Sequence, residues 1–518
     1  MNFSLSKNSA VSFNRNYLLL AFIVLKFVLE YVLVHPVYDL HRDEYLHLDQ
    51  ANHLAWGYTS VPPLTSWISW LIKALGNTVF WVKFFPALCG VLTTILVWKM
   101  IKTLGGGTFA LLMGATALTF SVVTRLNTLF QPNSFDVLSW TFVYFCLVKY
   151  ISRTSGRWLW LLGVAFALGF LNKYNIVFLL LGTLPALLIS GQHKLVVKKD
   201  FYVALVIATI LILPNLYWQY EHNFPVLRHM EELNRTQLVN VRWSDYLKEQ
   251  LIYFIGSIYV LLAGLLSPAF YKPFRHYRFV FFSFVFTTAL FLYFHAKGYY
   301  AIGLYPVLIA FGSVYLEQVL QGGWRIYLRP VAVLIPLLIF IPFTKLGFPI
   351  YAPDKLAEIA LRTGRNHRWE DGKEYLLEQD YADMLGWSEL ARKVDSIYAS
   401  IPDKRGLIVF CDNYGQAGAI NYYKKSKAYV AMSFNADYST WYESRPIRTI
   451  IRIKEYGDDP MYLHNEHALF NRVLLAGRIE NRYAREYRTG IYILAEPKAN
   501  VQMFLEDEQA QLLKPNGL

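Results

Sequence analysis

The chain has 518 residues and a formal net charge of +13; 55% of the residues are hydrophobic, 17% aromatic and only 17% charged. Soluble globular chains carry about a quarter charged residues, so this composition excludes a disordered protein and argues against a single soluble enzyme. Residues 1–344 hold 26 Lys and Arg against 13 Asp and Glu, whereas residues 345–518 hold 24 against 24. An excess confined to the apolar two-thirds is the pattern of cytoplasmic anchors in a polytopic membrane protein, not of a nucleic-acid surface. Cys89, Cys146 and Cys411, with no C-x-x-C pair, make no disulfide framework.

The first apolar run, 17–34, follows Lys7 and Arg15 and has no small-residue cleavage site behind it, so it reads as a span with its N-terminus inside. Ten further candidate spans follow at 78–100, 109–124, 135–150, 158–171, 175–190, 201–218, 251–270, 279–294, 300–315 and 326–343. Basic residues recur at Lys99 and Lys102, Arg153 and Arg157, Lys194 to Lys199, Lys272 to Arg278, and Arg325 with Arg329. They fall in every second connection, which fixes one side as cytoplasmic. The stretch 158–190 is interrupted only by Asn172-Lys173-Tyr174-Asn175. As one helix it would run about 50 Å, too long for a hydrocarbon core of about 30 Å. It therefore reads as a tight helical hairpin with Lys173 at the outer headgroup level.

About eleven spans place the tail outside. The tail alternates helix and strand: a helix near 388–400, a strand at 406–411, a helix at 416–423, and strands near 447–453 and 490–494. The expected fold is thus mainly α, a polytopic membrane domain over 1–344 followed by an extracytoplasmic α/β domain over 345–518.

Polar residues gather at the outer ends of the spans. The first outer loop carries His41-Arg42-Asp43-Glu44-Tyr45-Leu46-His47, and continues through Pro62-Pro63 into an interfacial helix over 64–75 with Trp67 and Trp70. Ionisable groups at a membrane boundary are expensive to desolvate and point to a functional site; an ordinary solvated loop is the other reading. Asp43 is a candidate general base, with Arg42 or a histidine to tune it. Further tips carry Arg125, Gln131, Asn133 and Asp136; Lys173 and Asn175; and His295, Lys297, Tyr299 and Tyr300. Each cation has a structural reading, since Lys and Arg snorkel at helix ends. Yet the outer side should be poor in cations, and binding an anionic lipid phosphate would account for Arg125, Lys173 and Lys297. Lys26 and Glu30, four apart in the first span, are expected to pair. His41 and His47 with Asp43 could hold a divalent ion, but the histidines show no metal-ligand spacing, so the reading that expects no metal or other cofactor is favoured.

The order of motifs resembles bacterial glycosyltransferase family 39 and the protein O-mannosyltransferase-like membrane enzymes, to which the lipid A aminoarabinose transferases are related. The carriers are His41 to His47, Leu54-Ala55-Trp56-Gly57-Tyr58, Pro62-Pro63-Leu64, Phe135-Asp136, Leu171-Asn172-Lys173-Tyr174 and Leu213-Pro214-Asn215. Lys297 to Pro306, Leu385-Gly386-Trp387 and Asp412 to Ala417 complete them. The resemblance implies a GT-C fold in the bacterial inner membrane and an inverting glycosyl transfer at its outer face. A sugar would pass from a polyprenyl-phosphate donor to a hydroxyl of a lipid, glycan or protein acceptor. It assigns the base to Asp43, with Glu44 beside it; Lys173 and Lys297, then Arg125 and Arg42, are the candidates for the donor phosphate, and His47, Asp136, Tyr299 and Tyr300 for substrate contacts. Two departures stand out: Ser60-Val61 replaces a Glu-Lys before the prolines, and Gln131-Pro132 stands where an Asp is common. A transporter or flippase of lipid-linked sugars is the competing class. It would be expected to place its ionisable residues near the midplane, often with repeat symmetry.

Overall fold

The computed structural model describes residues 15–236, 238–457 and 461–513; Lys7 lies outside them. Each of the eleven apolar stretches falls on helix. Among the described residues, six helices are long and apolar enough to cross a membrane, or seven if the bent pair Trp243–Tyr253 and Ile255–Phe270, 64° apart, is one span. The first helix, Arg15–Val32, buries Lys26 and Glu30 as a pair at 2.7 Å, and Lys26 Nζ also donates to Thr124 Oγ1 at 2.8 Å. The break at 173–175 is where the sequence places it, between helices Arg157–Asn172 and Ile176–Leu187. The halves do not form a tight hairpin, however. The first packs on helices Pro132–Arg153 and Lys199–Glu221, the second on Phe279–Tyr293.

Beyond the helix Leu328–Gly347 the chain becomes α/β. A small hairpin pairs β1 (His367–Arg368) with β2 (Glu374–Tyr375). Five strands then form one mixed sheet: β3 (Leu407–Cys411), β4 (Ala431–Ser433), β5 (Thr449–Lys454), β6 (Phe470–Arg478) and β7 (Gly490–Pro497), in the order β4-β3-β5-β7-β6. β3 runs parallel to both its neighbours, while β7 is antiparallel to β5 and β6. β3 is buried along its whole length, as expected of a parallel strand covered on both faces. One face packs on Val501 and Leu505 of the helix Val501–Leu513. The other shares one core with the first outer loop, where Tyr38, Leu40, Tyr45 and Leu46 join Trp387, Ile420 and Ile451.

That shared core fixes the short helix Arg42–Asp49. Its N-cap is His41, whose Nδ1 accepts from Asp43 N at 3.2 Å, and Glu44 closes the capping box by accepting from His41 N at 2.6 Å. The second Glu44 oxygen accepts from Phe130 N at 2.6 Å, tying the first outer loop to the second. Gly418 lets the helix Tyr414–Tyr423 lie against this one, since a Cβ there would stand 2.8 Å from the Tyr45 Cβ. Lower down, the interfacial helix forms over Leu64–Ala74, and a Cβ on Gly57 would overlap the Trp218 ring.

Glu44 therefore acts as a clamp. Glu44→Ala leaves two buried N–H groups unpaired and is expected to destabilise the protein by about 2–4 kcal/mol. Glu44→Gln, which keeps one acceptor oxygen, should cost less. Thermal unfolding in detergent measures both.

Candidate active site

A cavity of about 730 Å³ lies between one end of the helices and the α/β part. Its lining includes the polar side chains of His41, Arg42, Asp43, Gln131, Lys297 and Tyr414. Phe120, Leu126, Ile339, Phe340, Phe343 and Phe348 add apolar surface to the same cavity. A lining that joins charged groups to aromatic and aliphatic surface suits an amphipathic ligand.

Asp43 sits at the first turn of the short helix, its side chain 36% exposed. Gln131 Nε2 donates to Oδ2 at 3.0 Å, and the Tyr414 hydroxyl donates to Oδ1 at 2.6 Å. His41 Nδ1 stands 3.8 Å from Oδ2. Burial alone would raise the Asp43 carboxyl, but His41, Arg42 and the Tyr414 hydroxyl together hold it below the usual aspartate range. It is ionised at neutral pH, and each oxygen keeps a lone pair beyond the bond it already accepts.

Arg42 lies beside it, its guanidinium 4.6 Å from the centre of the Tyr414 ring. Its Nε is buried without a hydrogen-bond partner. The other two cavity cations are paired with carboxylates of the α/β part: Lys297 Nζ with Glu370 at 3.0 Å, and Arg125 with Asp380 at 3.1 Å. Partly exposed pairs of this kind contribute about 1 kcal/mol or less, so an incoming phosphate exchanges for either carboxylate at little cost. Burial pushes Glu378, also on the wall, up to about 7 against the pull of Arg125. Asp383 is raised by burial too, with His41 and Arg485 opposing.

The remaining expected residues divide. Tyr299 lines the cavity. Lys173 stands one side chain behind the wall: its Nζ donates to Asn133 Oδ1 at 2.8 Å and lies 4.3 Å over the Tyr300 ring and 5.1 Å over Tyr299. Asp136 is buried in the helix Pro132–Arg153 and accepts from Asn175 Nδ2 at 2.9 Å. Asn175 also donates to the Tyr300 carbonyl at 3.1 Å, so Asp136 anchors the turn carrying the two tyrosines. His47 is buried against Phe130 and Gln50, and burial lowers its ring below the usual histidine range. It does not reach the cavity, and neither does Glu44, whose oxygens are taken by backbone N–H groups. Among the described residues no group of three or more His, Cys, Asp or Glu side chains is arranged to hold a metal ion.

Sequence reasoning missed Glu249, Glu370, Glu378, Asp380, Asp383 and Tyr414. Only Tyr414 carried a signal, as part of Asp412 to Ala417. The acids lie in stretches with no periodic pattern, and tertiary packing alone brings them to the cavity.

The chain is similar to known proteins in sequence and in fold. Residues 60–218 match the family model described as dolichyl-phosphate-mannose-protein mannosyltransferase. A curated relative, the lipid A galacturonosyltransferase RgtD of Rhizobium johnstonii, is 28% identical over 215 residues, 40% of this chain. The match covers 42% of that relative's length. ArnT from Cupriavidus metallidurans, solved with undecaprenyl phosphate, superposes with a TM-score of 0.61 at 12% identity, over 93% of this chain and 98% of that one. The Archaeoglobus fulgidus oligosaccharyltransferase superposes with a TM-score of 0.50 at 11% identity, over 85% of this chain and 70% of that one. The chain is a multi-pass membrane protein with the GT-C fold, and its likeness to the mannosyltransferase-like membrane enzymes, read from its motifs, holds.

Proposed function

We propose that the protein is an inverting glycosyltransferase of the bacterial inner membrane, taking a sugar from a polyprenyl-phosphate donor to an acceptor hydroxyl at the outer face. The N-terminus is then cytoplasmic, and residues 345–518 form an extracytoplasmic domain on the catalytic membrane domain, residues 1–344. The observation that carries this reading is an ionised Asp43 beside Arg42, whose Nε has no hydrogen-bond partner, in a cavity lined by both charged and apolar side chains.

The acceptor oxygen bonds to the anomeric carbon as the bond from that carbon to the phosphate oxygen breaks. The acceptor's proton passes to Asp43. Arg42 receives the charge left on the polyprenyl phosphate, with Lys297 and Arg125 released to it from Glu370 and Asp380. Lys173 acts at one remove, by holding Asn133 and the two tyrosines in place. In this reading side-chain cations supply the positive charge, and no metal or other cofactor is required.

The undecaprenyl phosphate held by ArnT supports the donor class, and the name of RgtD supports a lipid A-type acceptor and a uronic acid as the sugar. A transporter is less well supported, because the ionised groups cluster at one end of the helices around a base.

Asp43→Asn should lower transfer from a radiolabelled polyprenyl-phosphate sugar pool by about 10²- to 10⁴-fold in membranes; equal transfer by the two proteins would remove Asp43 from the role. Glu370→Gln, by freeing Lys297 of its carboxylate, should lower the KM for the donor with kcat little changed. Transfer should persist in excess EDTA; a requirement for added divalent ions would overturn the metal-free reading.

A further inference from the structure

Asp43 and Arg42 are both organised by a side chain 371 residues away in the α/β part. Tyr414 opens the helix Tyr414–Tyr423, which is capped by Asn413: its Oδ1 accepts from Gln416 N at 3.0 Å. The cap is itself held. Asn413 Nδ2 donates to Glu455 at 2.5 Å and to Glu486 at 3.0 Å, and Gln416 Nε2 donates to Glu486 at 2.7 Å. Tyr414 is thus delivered on a braced turn, with its ring under Arg42 and its hydroxyl on Asp43.

Other tyrosines carry out the docking. Tyr438 donates to Asp49 at 2.6 Å, and Tyr423 donates to Asp39 at 3.2 Å. Neither lines the cavity, and Tyr414 does. A phenylalanine would fill the same space at position 414, and its missing hydroxyl would leave Asp43 facing an open cavity rather than a sealed core. Docking therefore does not explain the hydroxyl.

We propose that Tyr414 is a positioning residue of the transfer reaction: its hydroxyl orients Asp43 and its ring presents Arg42 to the donor phosphate, so the α/β part completes the reaction centre. The inference rests on Asp43 being the base. The charged and titratable groups facing Asp43 are His41, Arg42 and His47 from its own segment, Tyr414 and Asp383 from the α/β part, and Tyr299 from the cavity wall. Of these, the Tyr414 hydroxyl donates directly to the carboxylate, and burial together with Asp43 holds that phenol well above its usual range, so it stays a neutral donor. A hydrogen bond to the charged form favours that form. The ionised base should accordingly extend to lower pH with Tyr414 than without it.

The test uses the full-length protein in detergent with Tyr414→Phe, Tyr414→Leu and, as a docking control, Tyr423→Phe. Tyr414→Phe should lower kcat about tenfold, leave the donor KM unchanged, and move the acidic limb of the pH–rate profile up by about one unit. Tyr414→Leu should in addition weaken binding of undecaprenyl phosphate about tenfold, because Arg42 loses its platform. Tyr423→Phe should leave the limb where it is.

A second measurement does not depend on turnover. A folded-state pKa held low contributes stability that is present above the unfolded value and lost as pH falls through the folded one. Thermal unfolding from pH 7 down to 3 should show Asp43→Asn and Tyr414→Phe coupled in a double-mutant cycle. Absence of transfer by the wild type would overturn the proposed function and this inference with it, whereas transfer by the wild type with no change in Tyr414→Phe would overturn the inference alone. A cycle with no coupling, or a pH limb moved equally by Tyr423→Phe, would overturn the inference.

Discussion

The structure depends on burying a helix that composition says should not be buried. Arg42–Asp49 has three carboxylates in eight residues, and most of its side chains are shielded from solvent. An unpaired ion in such a place costs several kcal/mol. Here the charges are met mainly by neutral donors. Glu44 takes two backbone N–H groups; Asp49 takes Tyr438, Asn421 and Asn52; Asp43 takes Gln131 and Tyr414. Donors come from the helix's own cap, the neighbouring loops and the α/β part, so the helix is stable only when all of these are in place. Asp43 differs from the other two in opening onto a cavity. The same network that makes burial tolerable for Glu44 and Asp49 makes Asp43 an ionised, oriented group with lone pairs to spare.

The charge asymmetry of the sequence takes on structure in the same way. Most of the excess cations lie in the basic connections. The minority on the opposite side does not act as one set of free charges. Lys297 and Arg125 are neutralised by Glu370 and Asp380, Lys173 is enclosed by Asn133 and two tyrosines, and Arg42 rests on a ring. The balanced charge of residues 345–518 thus includes two acids already engaged with cations of the membrane part. The cavity lining thus combines Arg42, stacked on Tyr414, with two cations that carboxylates of the α/β part already neutralise.

How much of this was legible follows from the range of each signal. Hydropathy is local, and every apolar stretch became helix. Helices Trp387–Ser400 and Tyr414–Tyr423 and strands β3, β5 and β7 also stand within a few residues of their expected places. β4 has only three residues, and β6 is an edge strand mostly open to solvent, so neither left a local mark. The motif order was informative for a reason the sequence alone does not display: the motifs touch. Asn215 Nδ2 donates to the Trp56 carbonyl at 2.7 Å, Tyr174 donates to Asn215 at 3.0 Å, Trp387 N donates to Asp39 at 3.0 Å, and Tyr414 reaches Asp43. The acids of the cavity wall have no such local mark: Glu370, Glu378, Asp380 and Asp383 are placed by how the hairpin β1–β2 and the short helix after it pack, and Glu249 by the helix Trp243–Tyr253.

Gln131 shows what a departure from a family pattern can mean physically. An acid at that position would place a second negative charge within hydrogen-bond distance of Asp43, and like charges so close cannot both ionise freely. One of the pair would be pushed up, and the site would need a cation between them. The amide instead donates a hydrogen bond to Asp43 at 3.0 Å and brings no second negative charge. It also leaves the Arg42 guanidinium to face the ligand, where a second carboxylate would otherwise compete for it.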